Sequence, residues 1–164
     1  MEMWVVATLV LVAGLVDDLR SRMVHNALIL TLAPMVLISS IYFKGSEGIL
    51  IGLSAMLLAL VVTIPLFSLG ILGGGDVKLF ALFAMALDPI TAFWTLIYSF
   101  VWGALFGVSR SMLQKQLLAL VRNTYKLAMR QRVQVQELQM IPYTFAFLLG
   151  WFTYITVLRA GGGL

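Results

Sequence analysis

Gly73-Gly74-Gly75-Asp76-Val77-Lys78 sets three glycines, a carboxylate and a lysine into otherwise apolar sequence. An ionisable group in such a place is costly in a bilayer, so it calls for a partner and a task. Composition says how apolar the surroundings are. Of 164 residues, 62% are hydrophobic and 11% charged, and the mean hydropathy is +1.03. A soluble domain is roughly half apolar and about a quarter charged. The chain therefore reads as an all-α polytopic membrane protein, a single membrane-embedded domain over 1–164 with room for about six crossings of roughly 20 residues each. The absence of cysteine excludes disulfides, thiolate metal sites and cysteine nucleophiles.

Working outward from the glycines, the preceding apolar run, 49–72, is long enough to span and carries Pro65 near its end. The run before it, 27–43, contains Pro34 and ends at the expected turn Lys44-Gly45-Ser46-Glu47-Gly48. The first, 3–16, leads directly into Asp17-Asp18-Leu19-Arg20-Ser21-Arg22. It lacks the basic start and small-residue cleavage site of a signal peptide, so it reads as a first transmembrane helix whose last turn carries the acids. After the glycines, 79–87 is short and is closed by Asp88-Pro89. Counted from Asp76 it reaches roughly 20 Å, so it is expected to be tilted, shielded by neighbours or only partly spanning. Runs 90–108 and 141–158 read as a fifth and a sixth span. Between them, 109–140 is the one polar stretch. Its Leu113, Leu117, Leu120, Val121 and Ala128 recur at helical spacing opposite Lys115, Arg122, Lys126 and Arg130. That pattern fits a basic amphipathic helix on the cytoplasmic face of an anionic membrane, or a solvated basic loop.

Basic residues in short loops set orientation. Arg20 and Arg22, Lys78, and the cluster from Arg110 to Arg132 fall on one side of a six-span plan; only Lys44 and Arg159 fall on the other. The crowded side is the cytoplasm, and the net charge of +4 needs no nucleic-acid partner. Asp18, ending the first span, and Asp76, starting the fourth, then share the cytoplasmic face and can meet. Two carboxylates a few ångströms apart share a proton and titrate as a unit. Such a pair can activate water with its charged member while its protonated member polarises a carbonyl. Gly73, Gly74 and Gly75 suit a backbone held open to an extended substrate, so Gly75→Val is expected to abolish activity without preventing insertion.

Other residues have plainer readings beside the functional ones. Asp17 points about 100° away from Asp18 on a helix and reads as a solvated interfacial charge. Lys78 tunes the pair, touches substrate or snorkels to the interface. Arg22 is a topology determinant that could pair with Asp18 at the i,i+4 spacing. Asn26 reads as the cap of the second helix. Trp94, Trp102 and Trp151 read as membrane packing or interface anchors.

Gly73-Gly74-Gly75-Asp76 fits the G-x-G-D signature of intramembrane aspartyl peptidases, and Gly75-Asp76-Val77-Lys78-Leu79 resembles its form in type IV prepilin peptidases. Asp18-Leu19-Arg20-Ser21-Arg22-Met23-Val24-His25-Asn26 is similar to that family's first motif, roughly D-x-R-x-x-x-I-P-N, with Val24 and His25 departing from it. Aligning on Asn26 selects Asp18 over Asp17 as the first acid. The resemblance implies a GxGD peptidase fold with catalytic Asp18 and Asp76. It further implies hydrolysis of one bond between the short basic leader and apolar helix of a type IV, Flp-like prepilin at the cytoplasmic face of the inner membrane. No metal or organic cofactor is expected. The compact chain resembles the short tight-adherence form, which implies cleavage without N-methylation. An archaeal preflagellin-type peptidase, or a small proton- or cation-coupled transporter using the same two acids, is the alternative.

Overall fold

The computed structural model describes residues 2–113 and 143–161. The expected amphipathic segment at 109–140 lies, from residue 114 on, outside the described residues. Among those described there are five helices and no strand: α1 (Glu2–Ser21), α2 (Asn26–Ser68), α3 (Gly74–Met85), α4 (Pro89–Leu113) and α5 (Tyr143–Ala160). Three stretches are long and apolar enough to cross a membrane, namely α2, Pro89–Ser109 within α4, and α5.

Helix α2, 43 residues long, leaves helical backbone geometry only at Gly45, with φ 66° and ψ −160°. Its contacts show what the break does. At the first arm's two ends, the Asn26 side chain meets Lys78 and Lys44 Nζ reaches the Ala86 carbonyl oxygen, 3.4 Å away. In the second arm, Gly52 lies against the Met85 carbonyl and Phe67 against Gly74. The first arm thus runs with α3 and the second runs against it, so the chain reverses at Gly45, within the expected turn. The arms, about 28 Å and 34 Å long at 1.5 Å per residue, each match a bilayer core. Pro65 does not break the second arm, which continues to Ser68. It ends where Gly70 takes φ 74°, with Gly70 N–H donating to the Phe67 carbonyl and Ile71 N–H to that of Leu66, both at 2.9 Å. That is a Schellman ending, which favours glycine because a Cβ is strained at positive φ.

Helix α3 is the centre of the protein. It measures about 18 Å, too short to cross, and Val77 and Leu79 to Met85 are all buried. A helix apolar on every side must be sheathed. Here the sheath is α1, both arms of α2, α4 and α5, so the short run is shielded by its neighbours. Trp151 of α5 is fully buried against it, its ring 5.3 Å from that of Phe83, with Nε1 donating to Thr8 Oγ1 at 2.8 Å. It is core, not an interface anchor, whereas Trp94 is exposed. Close approaches replace side-chain packing where glycines fall. A Cβ on Gly150 of α5 would lie 2.6 Å from the Ser99 nitrogen of α4. The large apolar side chains of α2, α4 and α5 that face outward form the surface a bilayer would cover.

Candidate active site

The two acids are brought to one end of the bundle by the crossing of α1 and α3. Gly14 faces Leu79 so closely that a Cβ there would overlap the leucine side chain. Asp18 is one turn further along α1 on that face, and Asp76 is one turn earlier on α3. The helices run in opposite senses at this crossing, so both carboxyls project beyond it at the same end. Both are half-buried.

Helix α1 stops at Ser21, and Arg22 adopts the left-handed conformation, φ 55°, donating its N–H to the Asp18 carbonyl at 2.7 Å. This αL ending turns Arg22 out of helical register. The Arg22–Asp18 pair that the spacing allows does not form; among the described residues the acid–base contact found is His25 Nδ1 with Asp17 Oδ1, ionic only when the imidazole is protonated. Asp17 is more than a solvated charge. Its Oδ2 accepts the His25 backbone N–H at 2.8 Å and its Oδ1 meets His25 Nδ1 at 3.0 Å, which holds the turn from α1 into α2. The His25 backbone N–H, its largest influence, keeps the Asp17 carboxyl below the ordinary range.

That turn docks on the start of α3. Val24 packs against Gly75, where an added Cβ would lie 3.0 Å from Val24 Cβ and 3.1 Å from its carbonyl oxygen. Lys78 Nζ donates to Asn26 Oδ1 at 2.8 Å. Asn26 is therefore not the cap of α2; His25 occupies that position, and Asn26 ties the two acid-bearing segments together. The glycine triplet also differs from expectation. Gly73 has ordinary extended angles, φ −76° and ψ 151°, and neither Gly74 nor Gly75 has positive φ. Gly75 is small because Val24 presses on it and closes the packing there, whereas at Gly74 a Cβ would only reach ordinary contact with Phe67, 3.4 Å away.

Asp76 sits in the first turn of α3, ahead of its apolar run. Burial pushes its carboxyl up to about 6, the Gly73 N–H donating to Oδ2 at 3.2 Å pulls it back, and the charge of Asp18 adds to the rise. The charge of Asp18 thus reaches the Asp76 carboxyl. Asp18 has a further partner. Thr144, fully buried in the first turn of α5, donates its hydroxyl to Asp18 Oδ2. Sequence reasoning missed it, although the start of the last apolar run falls on the same face of the six-span plan as the end of the first.

The site is a half-buried carboxyl pair where the ends of α1 and α2 meet the starts of α2, α3 and α5, suited to proton transfer. The model of the type IV leader peptidase family matches residues 5–108, more than half of the chain and both acid-bearing segments. The chain belongs to the type IV leader peptidase family. No curated protein and no solved structure matches it. With its long apolar helices, the family makes it an integral membrane protein and a protease whose substrates are prepilins.

Proposed function

We propose that the chain is an aspartyl endopeptidase in which Asp18 and Asp76 are the catalytic pair, cutting the leader from a type IV, Flp-like prepilin at the cytoplasmic face of the inner membrane. The observation that carries this is the shared position of the two half-buried acids beyond the Gly14–Leu79 crossing, where the charge of Asp18 adds to the rise of the Asp76 carboxyl. In the reaction the ionised carboxylate takes a proton from water, the water oxygen attacks the scissile carbonyl, and the protonated carboxyl donates to the developing oxyanion. The proton taken from water then passes to the leaving amine. Lys78 and Asn26 fix the first motif against the second, and Gly73, Gly74, Gly75 and Arg22 shape the rim.

Six crossings follow if α1, the two arms of α2, α3 with its flanks, α4 and α5 are counted in turn, and the basic residues then put the acids in the cytoplasm. The tight-adherence type and cleavage without N-methylation belong to the same proposal.

The test is prepilin processing by the native chain, Asp18→Asn and Asp76→Asn in membranes. Loss of cleavage in both variants is expected; normal cleavage by either removes the dyad. The mass of the mature pilin N-terminus reads methylation directly. Single cysteines at Ser21 and Ser46, in a chain with no other cysteine, should label from opposite sides of the membrane.

A further inference from the structure

Most helix hydroxyls here donate to a backbone carbonyl three or four residues earlier, as Thr31, Ser99 and Thr156 do at three. Thr8, Thr63, Thr95 and Thr153 each donate to the carbonyl four residues earlier, at 2.7–2.8 Å. Thr144 departs from this. Its hydroxyl crosses 126 positions of sequence to Asp18 Oδ2, and its side chain is wholly removed from solvent. A threonine hydroxyl has one hydrogen to donate. Spent on a carboxylate oxygen, it occupies that oxygen and fixes the rotation of the group, a hydroxyl donating more strongly to a charged acceptor than to a neutral one. Asp76 has no such side-chain donor among the described residues; its contact is the Gly73 backbone N–H. The environments of the two acids are therefore unequal, and unequal environments assign the roles in a proton-sharing pair.

We infer that Thr144 is the positioning residue that makes Asp18 the base: its hydroxyl holds Oδ2, leaves Oδ1 to receive the proton of the attacking water, and assigns the shared proton to Asp76. The inference rests on the dyad reading above. The proton balance is complete within it. Water gives a proton to Asp18 Oδ1 as its oxygen bonds to the scissile carbon, and Asp76 protonates the carbonyl oxygen. When the tetrahedral species collapses and the carbon–nitrogen bond breaks, the leaving amine takes the proton held by Asp18, and the product carboxyl returns one to Asp76. The half-buried state of Asp76, whose carboxyl burial raises, agrees with its keeping the proton.

The test uses the full chain in membranes with three variants of Thr144. Thr144→Val keeps the shape and removes the hydroxyl. Thr144→Ser keeps the hydroxyl and removes a methyl. Thr144→Ala replaces the valine variant if that one does not insert. Loss of a hydrogen bond to a charged group is expected to lower kcat roughly tenfold to a hundredfold in the hydroxyl-free variant, with KM changed less than about twofold and the acid limb of the pH profile moved up by about one unit. Thr144→Ser is expected to restore both kcat and the limb. Other charged or titratable groups on the elements around Asp18 are Asp17, Arg20 and Arg22 on and after α1, His25 at the start of α2, Asp76 and Lys78 on α3, and Tyr143 on α5; all are unchanged in these variants. Wild-type kcat and pH profile in a hydroxyl-free variant would overturn the inference, as would a serine variant as impaired as the valine. Asp18→Asn run alongside separates the two claims: if it cleaves normally the dyad reading fails, whereas an inactive Asp18→Asn beside a fully active Thr144→Val removes only the role of Thr144.

Discussion

Lys78 Nζ lies 2.8 Å from Asn26 Oδ1, so a residue two beyond one acid holds a residue eight beyond the other. The bond is exposed, and an exposed hydrogen bond to a charged group contributes on the order of 1 kcal/mol or less. Lys78→Met and Asn26→Leu are each expected to lower kcat/KM several-fold, and the double variant to be no worse than either. A double-mutant cycle on prepilin processing measures the coupling; full additivity would mean the bond does not hold the site together.

Gly75 tests the docking of the α1–α2 turn on α3. A Cβ at this position meets Val24 through both side chain and backbone at 3.0–3.3 Å. Gly75→Ala should retain partial cleavage and Gly75→Val should lose it. The valine variant is expected to be destabilised by about 1–3 kcal/mol, the usual cost of overpacking, while still inserting. Thermal unfolding in detergent and membrane fractionation read the two effects separately; normal processing by Gly75→Val would show that the turn can move aside.

Asp76 should make the protein less stable as pH rises. An acid whose folded value is raised from 3.8 to about 6 binds more protons folded than unfolded between those values. Stability therefore falls across the pH 4–6 window and is level above it. Asp76→Asn removes the slope. The variant, though inactive, is expected to have a higher Tm than the native chain at pH 7.5 and the same Tm at pH 4. An unchanged Tm at both values would contradict the burial of this carboxyl. The exchange is the usual one between a functional group and the stability of its surroundings.

Asp17 should behave in the opposite sense. Its carboxyl is held low by the His25 backbone N–H, so its contribution is present above the unfolded value and is lost as pH falls through the folded one. Asp17→Asn is expected to cut at a few-fold reduced rate and to loosen the turn, seen as faster amide exchange at His25. Complete loss of cleavage in Asp17→Asn would move it from the turn into the chemistry.

Much of this was legible because it lies in breaks of an apolar pattern. Asp18 and Asp76 stand at the ends of apolar runs, and Gly45 falls in a polar interruption between two others. Both acids could be paired from the parity of crossings between them. What stayed hidden concerns who touches whom. Nothing in a run of three glycines says that Val24 will fill the space beside Gly75, and hydropathy does not distinguish buried Trp151 from exposed Trp94. Thr144 was invisible for a similar reason. It is one hydroxyl among many in apolar helices, and only the folded arrangement brings it to Asp18.

The sheathing of α3 bears on biogenesis. A stretch of this length is too short for a translocon to release into lipid as a span of its own, and no side of it is left to face acyl chains. Its location is therefore set by helix association, with the hairpin of α2 supplying the walls on both sides. The place of Asp76 in the bundle follows from the packing of its neighbours more than from the hydropathy of its own segment.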